Sequence, residues 1–143
     1  MIELLLRHAK LKDSIKIYHL RNHPKVRQSS HNTNMIKIEE HQRWFVNILL
    51  DDTKQILIAQ EKDDFVGSVR LELVNNTCLI SWSVSPDFQG RGIGKVMVAM
   101  AVKTVKIKIK AEIKNNNHAS IKIAEYIGMK FVKKIENVFF YEK

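Results

Sequence analysis

Apolar positions recur along this chain in two rhythms, every second residue in some stretches and every third or fourth in others, and the switches between them mark out its elements. Ile2–Arg7 is a short apolar run that suits a first strand. Lys12–Asn22 spaces Ile15, Tyr18 and Leu20 as a helix does, with Asp13 or Ser14 as its cap. The chain then turns polar from Asn22 to Asn34. Helical spacing returns over Glu39–Leu50 with His41, Trp44, Phe45, Ile48 and Leu49, and Asp51-Asp52 leads into a strand over Gln55–Gln60. A second strand covers Val66–Val74, Asn75-Asn76 suits a hairpin turn, and Cys78–Val84 is the strand that runs into a glycine-rich loop. Gly94–Lys103 reads as a helix with a broad apolar side. Val105, Ile107, Ile109, Ala111 and Ile113 alternate with polar residues, the mark of a half-buried strand. Ala119–Ile127 is a last helix stopped by Gly128, and Phe131–Ile135 with Val138–Tyr141 forms a closing hairpin around Glu136-Asn137. The order is mixed α and β without an internal repeat.

Composition narrows this picture only a little. A chain of 143 residues is long enough for one domain with a real core and too short for two. Hydrophobic residues make up 45%, and no apolar run is long enough to span a bilayer. MIELLLRHAK carries Glu3 early and no small-residue cleavage site follows, so no signal peptide is expected and the cytoplasm is the expected compartment. Cys78 lies in an apolar run and reads as a buried structural thiol. The net charge of +9 invites an anionic partner, yet the lysines are scattered, and KIKIK at Lys106–Lys110 reads as the solvated face of a strand. No helix concentrates Arg and Lys with interleaved aromatics, which argues against a nucleic acid. No Cys/His cluster has metal-ligand spacing, so no metal is expected.

The loop itself is FQGRGIGK, Phe88–Lys95, holding three of the five glycines at every second position. A strand running into glycine-rich backbone at a helix start leaves several N–H groups unpaired beside the positive end of the helix dipole, a cradle for phosphate or pyrophosphate. Arg91 and Lys95 add positive charge there. A tight turn that serves only the chain is the plain alternative. The loop is neither GxGxxG nor closed by GK[ST], which removes the usual dinucleotide and nucleoside-triphosphate patterns.

The stretch does contain QxxGxG, Gln89–Gly94, preceded by SVSPDF at Ser83–Phe88, and it resembles the acetyl-CoA pyrophosphate loop of the GNAT acetyltransferases. Downstream, Asn117-His118-Ala119-Ser120-Ile121 with Glu125 and Gly128-Met129 is similar to the second signature of that family. The resemblance implies a single GNAT domain over residues 1–143, an α/β fold of about seven strands with flanking helices and a splayed central pair. It also implies acetyl-CoA as co-substrate. Val84 would give backbone groups to the pantetheine, the backbone of Gln89, Gly90, Arg91, Gly92, Ile93 and Gly94 would hold the pyrophosphate with Lys95 beside it, and Asn117 and Ser120 would lie along the pantetheine or adenosine phosphates. The chemistry implied is direct attack of an amine on the thioester. Ala124 stands where the family often has a tyrosine acid. Tyr126, two positions on, turns to another face of the helix, so it serves as acid only if the helix shifts, and packing explains it equally well. No carboxylate stands early in TCLIS, which leaves Glu72, Glu39 and above all Glu40 as bases, or a water-mediated route.

A third segment, Arg21–Phe45, resembles the N-terminal region of GNAT enzymes that acetylate the 4-amino group of nucleotide-linked amino sugars, as in pseudaminic acid pathways. There Arg21 and Arg27 would pair with phosphate, Asn22, Ser30 and Asn32 with sugar or base hydroxyls, and Trp44 would stack, with His41 also on the substrate side. Core packing for Trp44 and Phe45, a structural role for His41, and a helix-start role for Glu39 and Glu40 stand beside that reading. The partner implied is a small-molecule amine, with no membrane insertion and with a homodimer compatible. The competing readings are an acetyltransferase acting on protein N-termini or ribosomal protein, and a non-catalytic acetyl-CoA-binding module.

Overall fold

The computed structural model describes residues 2–143. Seven strands form one sheet in the order β1-β2-β3-β4-β5-β7-β6. They are β1 (Leu5–His8), β2 (Lys54–Glu61), β3 (Asp64–Val74), β4 (Thr77–Val84), β5 (Ile109–Lys114), β6 (Lys130–Ile135) and β7 (Val138–Glu142). Five helices accompany them: α1 (Ser14–Asn22), α2 (Pro24–Gln28), α3 (Ile38–Leu50), α4 (Ile93–Val102) and α5 (His118–Tyr126). All pairings are antiparallel except β4 with β5. The tight hairpins work because Lys62, Asn75, Asn76 and Glu136 accept positive φ, which polar turn residues tolerate better than β-branched ones.

The β4–β5 pair decides the shape of the site. It is bridged only at Cys78–Ile109 and Leu79–Lys110, after which the two strands separate, β4 running on to Val84 and β5 to Lys114. The alternation within the strands sends their residues to two cores. On one face Val66, Val69, Ile80, Ala111 and Ile113 pack with Met97, Val98 and Ala101 of α4 and Ile123 and Ala124 of α5. On the other, Ile56 and Ile58 pack under Ile17 of α1 and Phe45 and Ile48 of α3. Each Val, Ile, Met or Phe side chain among them taken fully out of water contributes ~1.5–3 kcal/mol, so both faces are held firmly while β4 and β5 stay parted.

Two elements depart from the apolar pattern. The polar stretch after Asn22 contains α2, which buries no residue and so leaves no periodic trace; it forms because Pro24 presets the first turn and His23 accepts the N–H of Lys25 at 3.2 Å. The strand expected from Val105 begins only at Ile109, because Thr104 and Val105 still donate backwards to Ala101 and Val102 and finish the turn after α4. Lys106 and Ile107 therefore lie outside the sheet.

Candidate active site

β4 ends at Val84, a short 3-10 turn covers Pro86–Phe88, and α4 starts at Ile93. Between them Gly90 and Gly92 stand at φ 81° and 80°, left-handed values that cost other residues on the order of 1–2 kcal/mol. A Cβ at Gly90 would meet nothing within 4 Å, so conformation and not crowding calls for glycine there. Gly92 is the N-cap of α4 and offers no capping side chain, which leaves the first-turn N–H groups of the helix without intrahelical partners. Gly90, Gly92, Ile93, Gly94 and Lys95 line a cleft of about 1050 Å³ that runs through the split.

The side chains around this loop are spent on the protein itself. Gln89 donates from Nε2 to the Val84 carbonyl at 3.2 Å. Arg91 was expected to add charge to the cradle, but it turns away and pairs with both oxygens of Glu61 at 2.9 and 2.8 Å. Asn117 caps α5 by accepting the Ser120 N–H at 3.2 Å, and the Ser120 hydroxyl accepts from Trp82 Nε1 at 3.1 Å. What this end of the cleft presents to a ligand is main-chain N–H, the α4 dipole and Lys95, a combination suited to pyrophosphate.

Through the split the cleft reaches the α1–α3 face. Strand register places Arg70 opposite Ser81 and Ser68 opposite Ser83. Glu112, two residues past the Leu79–Lys110 bridge, lines the opening together with Ser81. Arg21, Glu40 and Trp44 close in from the helices, and Ser30, His31 and Asn32 from the segment after α2. That segment crosses to β5: His31 Nε2 lies 3.5 Å from Glu112 Oε1, and Lys114 donates to the Gln28 carbonyl at 3.2 Å.

Charge is uneven here. Arg21 stacks on Trp44 with its Cζ 3.7 Å from the ring centroid, and Arg70 lies 5.8 Å from the same ring. Among the described residues neither guanidinium has a carboxylate within 4.0 Å. Burial first, and then the neighbouring Arg70, push Arg21 down to about 10; it therefore stays protonated at neutral pH. Two uncompensated cations against an aromatic plane form a receptor for a delocalised anion.

Several expected acceptor residues do something else. Asn22 uses its amide to clamp Ile36, donating to its carbonyl at 2.8 Å and accepting its N–H at 2.7 Å. Arg27 donates to the carbonyls of Asn22 at 3.1 Å and Thr33 at 3.4 Å. Both hold the shape of the segment, and neither lines the cleft. Ser30 and Asn32 do line it, although Ser30 donates to the Val26 carbonyl at 2.9 Å and Asn32 accepts the Asn34 N–H at 3.0 Å. His41 is 0% exposed and touches Arg21 rather than the cleft. Tyr126 is 62% exposed and outside the cleft, beneath Lys95 at 5.3 Å, so it does not serve as the acid. Glu72 pairs with Lys54 at 3.7 Å and Glu39 does not reach the cleft, which leaves Glu40 and Glu112 as its carboxylates. Arg70 and Glu112 escape a sequence reading because both look like outward strand positions; only the register and the split turn them into site residues. Among the described residues no group of three His, Cys, Asp or Glu side chains is placed to hold a metal ion.

The profile of the Acetyltransferase (GNAT) domain matches residues 3–130. The chain belongs to the GNAT acetyltransferase family. It is an N-acetyltransferase with acetyl-CoA as co-substrate, and the main-chain cradle at Gly90–Lys95 fits the pyrophosphate of that molecule. Acetyltransferase PseH of Campylobacter jejuni is 26% identical over 113 residues, which cover 75% of this chain and 70% of that protein. A domain from Methanocaldococcus jannaschii matches with a TM-score of 0.89 at 26% identity, covering 100% of this chain and 99% of the other. Spermidine N-acetyltransferase from Vibrio cholerae, solved with CoA and spermine, matches at 0.84 with 15% identity, covering 97% and 92%. The seven-stranded sheet with its splayed pair is the fold the GNAT resemblance implied. No helix among the described residues of this acetyltransferase is long and apolar enough to cross a membrane.

Proposed function

We propose that this GNAT acetyltransferase acetylates the 4-amino group of a UDP-linked amino-deoxy sugar in the cytoplasm. The observation that carries this reading is the pair Arg21 and Arg70, uncompensated against Trp44 on the acceptor side of the cleft. A diphosphate brings the missing negative charge, and a base or sugar face has an aromatic plane to lie on. A polyamine brings the wrong sign. Two unit charges 4 Å apart near a protein surface interact by about 4 kcal/mol, attraction for the diphosphate and repulsion for the polyamine. The likeness to PseH of Campylobacter jejuni and the Arg21–Phe45 resemblance run the same way.

Acetyl-CoA supplies an activated acyl thioester. The protein supplies positioning and a proton acceptor. Glu112, which lines the split with Ser81, takes the proton that the amine must lose as its nitrogen bonds to the acyl carbon and the carbon–sulfur bond breaks. Glu40, at the start of α3, is the second carboxylate within the cleft. A protein acid matters less, because a thiolate is a stable leaving group and solvent can protonate it; Ala124 and the outward Tyr126 are then no obstacle.

The test is release of CoA thiol with UDP-linked 4-amino-4,6-dideoxy sugars, N-terminal peptides and polyamines as parallel acceptors. Turnover confined to the sugars is expected. Turnover on peptides or polyamines alone overturns the acceptor assignment, and acetyl-CoA binding without transfer to any amine returns the chain to a binding role.

A further inference from the structure

We propose that His41 is a positioning residue that aims the Arg21 guanidinium at the acceptor's anion without cancelling its charge; this rests on reading the Arg21–Arg70–Trp44 end of the cleft as an anion site. The tautomer follows from the partners. His41 Nε2 lies 2.8 Å from the Ser14 carbonyl, which can only accept, so the proton sits on Nε2. The Ser14 hydroxyl is 3.2 Å from the same nitrogen. Nδ1 therefore carries a lone pair, and it accepts from Arg21 Nη1 at 3.1 Å. The ring cannot swing away, since Tyr18, Trp44 and Phe45 surround it with centroids 5.3, 5.7 and 5.7 Å distant. The guanidinium is thus pinned from behind while it lies on Trp44, and its remaining N–H groups are left for a ligand.

Most buried arginines are pinned by carboxylates, which orient and neutralise together. A neutral imidazole orients only. Burial and the nearby Arg21 hold His41 below its ordinary pKa, which keeps it neutral and keeps the lone pair available. Arg70 on β3 adds a second positive charge to the same ring, so an anionic support at position 41 would remove half of what the site offers.

The experiment titrates inorganic pyrophosphate into CoA-saturated enzyme, so that the glycine loop is already filled. It compares His41→Asn, His41→Asp and His41→Leu, with CoA affinity as the control for folding. Asparagine places a neutral acceptor near the Nδ1 position and is expected to bind pyrophosphate within about threefold of the natural chain. Aspartate has the same shape and a negative charge, and is expected to weaken binding about tenfold or more, the scale of one charge-assisted interaction. Leucine removes the acceptor and is expected to weaken it similarly. Equal affinity for the Asn and Asp variants overturns the proposal, whether or not the Leu variant folds. No pyrophosphate binding to the natural chain overturns it as well. The ranking Asn above Asp, seen in an enzyme that turns over peptides and not sugar nucleotides, would uphold the role of His41 while removing the sugar as acceptor.

Discussion

The two ends of the cleft are made of different material. The donor end is main chain: glycines at positive φ, helix-start N–H groups, and side chains such as Gln89, Arg91, Asn117 and Ser120 that brace the walls. The acceptor end is side chain: Arg21, Arg70, Trp44 and Glu112, brought together from α1, β3, α3 and β5. A backbone cradle depends on chain conformation and tolerates change in the side chains around it. A side-chain pocket can be rebuilt without touching the cradle, so under the proposed function it is the part that chooses the substrate.

The comparison breaks most sharply at Glu112. Glu112→Gln is expected to lower kcat by ~10²–10⁴, the usual worth of a general base, with acetyl-CoA affinity unchanged; an equal loss in Glu40→Gln and none in Glu112→Gln would move the base to α3. Arg21→Met is expected to raise the acceptor KM about 10- to 100-fold, one strong charge-assisted contact, again with the donor end untouched. Arg27→Ala is expected to act on stability alone, since that side chain ties Asn22 and Thr33 together. The converse change is Gly92→Val, which strains a φ of 80° and should weaken acetyl-CoA binding about tenfold while leaving pyrophosphate binding at the acceptor end intact. Binding of both ligands lost together would mean that the two ends are not separable.

A smaller effect is expected in the pH dependence of stability. His41 is held below its ordinary pKa mainly by burial, so the unfolded chain takes up the proton first as pH falls. Its contribution is complete above about pH 6.5, declines as pH drops from there toward the folded value, and then levels off. Melting temperature followed across this window should fall less steeply in His41→Asn. The smallest effect is expected from Tyr126→Phe, since the ring lies outside the cleft; a change in kcat beyond about twofold would restore Tyr126 as a participant.

How far the sequence could be read follows the same division. Strands and helices with a buried face were legible, since Val66, Val69 and Ile80, or Phe45 and Ile48, leave a period in the chain. α2 was not, because it buries nothing, and neither was the late start of β5, because Val105 and Ile107 keep up the alternation while the backbone is still closing a helical turn. Glycine spacing announced the turn before α4, where Gly90 and Gly92 stand at positive φ. Arg91 misled in the same stretch: its proximity in sequence to the loop said nothing of Glu61, thirty residues earlier and next to it in space.

Local order along the chain was enough for the elements with a buried face and for the glycine turn before α4, since these depend on backbone conformation and on residues adjacent in sequence, and the resemblance to the GNAT family carried the chemistry of acetyl transfer. Tertiary structure alone decided that β4 and β5 part after two bridges, that Arg70 and Glu112 face the opening, and that Asn22, Arg27 and His41 work behind the wall. The reason is physical. A glycine's freedom at φ is a property of one residue, whereas an uncompensated charge is a property of whatever the fold brings beside it, and Arg21, Trp44 and Arg70 meet from α1, α3 and β3.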